Sequence, residues 1–175
     1  MSGYRTIGDG LMLVFVGEIL CIFSFIPLLG MILAIVGIIV QLVGLHKAGG
    51  MEEGYRTAFT LSIVGMVVSV VGAIVPFIGI ISSILAMVVM YIVCNTTADL
   101  LDHCDGELAR RGRTVWKIYL ICTVIIVVCG VLALIPLVNI LAGVVSLVTG
   151  IVSIVGGVLY LIFLYRASDC LRSAG

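Results

Sequence analysis

The strongest constraint on this chain is a plan used three times: a long apolar run broken once, near its middle, by a proline. The first copy opens Gly3-Tyr4-Arg5-Thr6, runs apolar to Ile26-Pro27-Leu28-Leu29-Gly30, and closes on His46-Lys47-Ala48. The second opens Gly54-Tyr55-Arg56-Thr57, breaks at Val75-Pro76-Phe77-Ile78-Gly79 and closes near Asn95-Thr96-Thr97-Ala98. The third opens Gly112-Arg113-Thr114, breaks at Ile135-Pro136-Leu137-Val138-Asn139 and closes on Tyr165-Arg166-Ala167. Each run of roughly 36 to 50 residues would make a single helix about 54 Å long or more at 1.5 Å per residue. A bilayer's hydrocarbon core is about 30 Å thick, so one helix overshoots it and two fit. Proline belongs in the first turn of a helix and pushes the residue before it out of helical geometry. The pattern therefore predicts a helical hairpin at each proline.

The expected fold is an all-α membrane protein with six transmembrane helices, arranged as three pseudo-repeated hairpins with Pro at each outer turn. The paired spans are roughly 7–26 with 28–47, 57–75 with 77–98, and 115–135 with 137–166. They form one transmembrane domain over 1–175, with repeats at 3–50, 54–106 and 112–170. Composition agrees: 63% of residues are hydrophobic and 10% charged, against about half and a quarter in soluble domains. Hairpins that wedge into one leaflet are the alternative, but each arm is near the 20 residues a span needs. The first segment has neither the basic start nor the small-residue cleavage site of a secretory signal, and reads as a retained helix.

Charge sets the orientation. Arg5, Lys47, Arg56, Arg110, Arg111, Arg113, Lys117, Arg166 and Arg172 all fall at open ends of hairpins, and none at a proline turn. The positive-inside rule then places both termini and both long loops in the cytoplasm. Cys104 and Cys170 fall on that side, where thiols stay reduced. A net charge of +0 speaks against a nucleic-acid partner. Membrane lipid is the expected partner.

Small residues recur at alternating steps of four and three, which keeps them on one helix face. In the second helix of the first hairpin they are Gly30, Ala34, Gly37, Gln41, Gly44 and Ala48, and its first helix has Gly10, Gly17, Cys21 and Ser24. The second hairpin has Ala58, Ser62, Gly65, Ser69 and Gly72. The last helix has Gly143, Ser146, Gly150, Ser153 and Gly157. Membrane helices associate where small side chains let backbones approach, so these read as packing seams. For the last stripe a narrow polar path or the interface of a homo-oligomer is the alternative, and periodicity does not separate the three.

Glu18 is the one charge-bearing residue deep in an apolar segment. Folding the first hairpin about its turn brings Gln41 to nearly the same depth. The aligned positions in the other repeats are Val67 and Val127. A carboxylate at mid-bilayer costs a few kcal/mol and usually faces the protein interior or a water path. A proton- or cation-handling group, a neutral structural hydrogen bond and a subunit-interface contact all fit. The loop Asp99–Glu107 gathers acids with His103 and Cys104, but its spacing matches no zinc or calcium pattern. No metal, cofactor or catalytic residue is expected, and no enzyme motif is found. Tyr91, Trp116, Tyr119, Tyr160 and Tyr165 read as interfacial anchors.

The turns at Pro27, Pro76 and Pro136, with the glycine-rich arms around them, resemble the small six-helix bacterial membrane proteins of the acid-resistance HdeD type. That resemblance is one of architecture. It implies an inner-membrane protein linked to stress tolerance, without a defined reaction. Two functions stay open: an ion, proton or small-solute channel or transporter, or a non-catalytic structural or stress-related protein that scaffolds partners or shapes the bilayer.

Overall fold

A computed structural model describes residues 2–23, 26, 29–72, 76–132 and 139–175. The turns at Pro27 and Pro136 lie outside the described residues. Six helices make up the described chain: α1 Ser2–Ile22, α2 Gly30–Gly49, α3 Glu53–Gly72, α4 Pro76–Leu101, α5 Gly106–Leu132 and α6 Asn139–Ala174. Pro76 stands as the first residue of α4, where its missing N–H costs nothing.

Each helix packs on the next, and α6 returns to pack on α1, which closes a ring. The helix ends rich in charge meet at one end of that ring. Lys47 Nζ of α2 and Arg172 Nε of α6 both reach the Asp9 carboxylate of α1, at 3.1 and 2.8 Å. Arg113 of α5 pairs with Asp99 at 2.9 Å and also with Asp102, the residue after α4. The hydroxyl of Ser168 donates to the carbonyl of Gly8 at 2.7 Å, a buried bond between chain ends.

The buried core sits at this same charged end. Leu11, Tyr55, Leu101, Leu164 and Leu171 are fully buried there. Away from it the apolar side chains face outward: Met31 is 77% exposed, Val70 68% and Ile154 69%. Water does not tolerate apolar belts of that extent, whereas lipid does. Four helical stretches, Gly30–Gly49, Glu53–Gly72, Ile81–Leu101 and Leu147–Ala174, are long and apolar enough to cross a membrane. This is consistent with an integral membrane protein. In α1, every stretch of membrane-spanning length holds Arg5, Asp9 and Glu18 together.

Helix ends differ from the expected spans in an instructive way. α5 starts at Gly106 and α6 runs to Ala174, well beyond the apolar segments near 115 and 166. Apolarity marks where a helix could meet lipid, not where its hydrogen bonds stop. Glu, Arg and Ala are good helix formers and carry the helix onward. Asp105 supplies the start signal of α5: its Oδ1 accepts the backbone N–H of Glu107 at 3.1 Å and of Leu108 at 3.0 Å. That is an N-cap.

Candidate functional site

The site begins with how closely α1 and α2 approach. A side chain on Gly17 would put its Cβ 2.6 Å from the Gly37 carbonyl, and one on Gly37 would stand 2.8 Å from the Gly17 carbonyl. One heptad nearer the charged end, Gly10 and Gly44 face each other in the same way, at 2.7 Å from Gly10. Only glycine permits such backbone contact. The two small-residue faces of the first hairpin thus form one seam.

Glu18 and Gln41 flank that seam, and the structure brings both to the wall of one hollow. The pair opens onto a hollow of about 320 Å³ bounded by α1, α2, α3 and α4. Its other polar lining comes from Ser62 and Ser69 of α3 and Ser82 of α4. Ser62 donates to the Ala58 carbonyl at 2.8 Å, and Ser69 to the Gly65 carbonyl at 2.8 Å. Ser69 and Ser82 are also hydrogen-bonded to each other. With Ser69 already donating to Gly65, Ser82 is the donor of that pair. The rest of the wall is apolar, including Leu42, Leu61 and Leu85. A hollow of this kind offers one ionisable group, one amide and three hydroxyls in an otherwise oily setting. It can hold a proton, a small cation or a small neutral hydrogen-bonding solute.

The serines are the part that the sequence reading assigned differently. Ser62 and Ser69 were expected as elements of a packing seam in α3. The structure also places them on the wall of the hollow shared by α1, α2, α3 and α4. The period of four and three was the available signal, and it does not say whether a small face is covered.

The last stripe is placed differently from the seam of the first hairpin. A Cβ built on Gly150 or Gly157 meets no described atom within 4 Å. Both glycines are half-buried, but the direction a side chain would take from either is open among the described residues. Gly156 is the one that meets a neighbour, with Ile118 and Tyr119 at 3.7 Å. α6 turns its Thr149, Gly156, Tyr160 and Phe163 face inward, and Gly150 and Gly157 each lie one residue past that face, about 100° around the helix. Ser153 is half-buried. The surroundings of Gly143 and Ser146 lie outside the described residues.

The aromatic residues divide. Tyr91 and Trp116 stack edge-on, centroids 4.9 Å apart, and Tyr165 is half-exposed 5.6 Å from Phe15. Tyr160, expected as an interfacial anchor, is instead 8% exposed in the core. The acids of the 99–107 loop are engaged locally: Asp99 and Asp102 on Arg113, Asp105 in its cap, and Glu107 on Arg111 at 2.6 Å.

Comparison with protein-family models, with curated proteins and with solved structures finds no match to this chain.

Proposed function

We propose that this chain is a six-span integral membrane protein that passes protons, small cations or small polar solutes through the hollow at Glu18 and Gln41. The observation that carries the reading is the convergence of Glu18, Gln41, Ser62, Ser69 and Ser82 on one half-open hollow between α1, α2, α3 and α4 of an apolar bundle. Keeping a carboxyl there costs a few kcal/mol unless something uses it or satisfies it. A single hydrogen bond to Gln41 would satisfy it without a hollow, whereas a hollow lined with hydroxyls gives a solute somewhere to sit. Both termini belong on the cytoplasmic side, by the distribution of lysine and arginine. A bundle of this size offers little polar interior, so conduction calls for a homo-oligomer.

The test is flux. The purified chain in liposomes, with an internal pH dye, is expected to pass protons with a pH dependence that Glu18→Gln removes while oligomer mass stays the same. Proton and potassium fluxes indifferent to that substitution would sink the reading.

A second reading, a structural protein that joins copies or partners within the bilayer, draws on a different observation. A side chain at Gly150 or Gly157 would meet no described atom, on a helix that also turns Leu147, Ile154 and Val158 outward. Gly150→Leu is then expected to reduce oligomer mass in mild detergent, and an unchanged mass would remove this reading.

A further inference from the structure

We propose that α5 and α6 form a binding site for an anionic phospholipid at the charged end of the bundle. A groove of about 210 Å³ runs between the two helices. Arg110, Arg111 and Arg166 line one end of it; Ile118, Leu159 and Ile162 line the other. The helices are antiparallel, so Ile118 and Leu159 each lie seven residues, about 10 Å, deeper than Arg111 and Arg166. The groove is basic where the bundle meets water and apolar one to two turns further in. A phospholipid has that same order along its length.

Charge accounting favours an anion. Arg110 and Arg166 form no ion pair among the described residues. Arg111 does, with Glu107 at 2.6 Å, and so contributes less. The nearby acids Asp105, Glu107 and Asp169 line an adjoining hollow, on the far side of Arg111 and Arg166. No carboxylate lines the groove itself among the described residues. A zwitterionic headgroup would bring its own cation against the arginines, whereas phosphatidylglycerol brings only the phosphate. Basic side chains at a membrane surface attract anionic headgroups by about a kcal/mol each. The apolar floor supplies what a free phosphate cannot use.

The inference needs the membrane reading but not the role of Glu18. Alkaline extraction of membranes containing the full chain tests the former: release into the supernatant would remove both proposals. The lipid site is tested separately by titrating the delipidated full chain in detergent with phosphatidylglycerol or phosphatidylcholine, counting bound lipids by native mass spectrometry. Phosphatidylglycerol is expected to bind more tightly. Arg110→Gln with Arg166→Gln should weaken it about 10- to 30-fold, Lys117→Gln should leave it unchanged, and Arg110→Lys with Arg166→Lys should retain most of it. Matching thermal melts would show that the variants fold. Equal binding of the two lipids, an unaffected double glutamine variant, or equal loss with Lys117→Gln would overturn the site. So would displacement of the lipid by an equal concentration of glycerol phosphate, which would make the ligand a free phosphate.

Discussion

The hydroxyl of Tyr55 lies 2.7 Å from Oγ1 of Thr97, in a fully buried contact between α3 and α4. Thr97 donates its own proton to the Val93 carbonyl at 2.6 Å, so Tyr55 is the donor to Thr97. The two residues stand at opposite ends of the second hairpin in sequence and lock its open end in space. Tyr55→Phe is expected to cost about 1 kcal/mol, the net worth of one hydrogen bond, and Thr97→Val about 1–3 kcal/mol because it strands the tyrosine hydroxyl. The double variant should lose less than the sum, since each change removes the same bond. Thermal unfolding of the four proteins in detergent measures the coupling, and strict additivity would count against this assignment.

The glycines of the first hairpin and those of α6 should behave oppositely. Gly17→Ala or Gly37→Ala forces a Cβ into backbone at 2.6 and 2.8 Å, and the helices have to part. A loss of about 1–3 kcal/mol is expected, in the range of overpacking. Gly157→Ala meets open space and should stabilise slightly, by the helix propensity of alanine over glycine. Melting temperatures in one detergent decide it, and similar effects at both places would contradict the packing described.

Asp9 ties three helix ends, and its loss should be felt there. Its carboxylate accepts from Lys47 Nζ of α2 and Arg172 Nε of α6. The pairs are largely exposed, so Asp9→Asn should cost no more than about 0.2–1 kcal/mol for each pair. Hydrogen exchange at Ser168 and Leu171, compared with the same variant's Tyr55, would locate the loosening.

Cysteine labelling tests both burial and sidedness. Cys104 is exposed and Cys94 is fully buried. A membrane-impermeant maleimide should label Cys104 quickly and Cys94 only after denaturation. In vesicles of known orientation, Cys104 should react from the cytoplasmic face alone. Labelling from the outer face would reverse the orientation proposed from the positive-inside rule.

The sequence alone determined that this chain is helical, that helices with enough apolar length to cross a membrane recur along it, and that its charges collect at helix ends. Those properties are carried by composition and period, which act locally. It also placed Glu18 and Gln41 at one depth, because a tight hairpin leaves little freedom in register. Tertiary structure decided the rest. A stripe of small residues is the same in sequence whether a neighbour covers it, as at Gly17 and Gly37, or nothing described does, as at Gly150 and Gly157. The difference depends on the rotation of each helix about its own axis, and rotation is set by packing against other helices. The same holds for Tyr160, whose place on the inward face of α6 took it from the expected interface into the core. It holds too for Ser62 and Ser69, which line a hollow that four helices share. Period fixes which residues share a face; the ring of six helices fixes what that face meets.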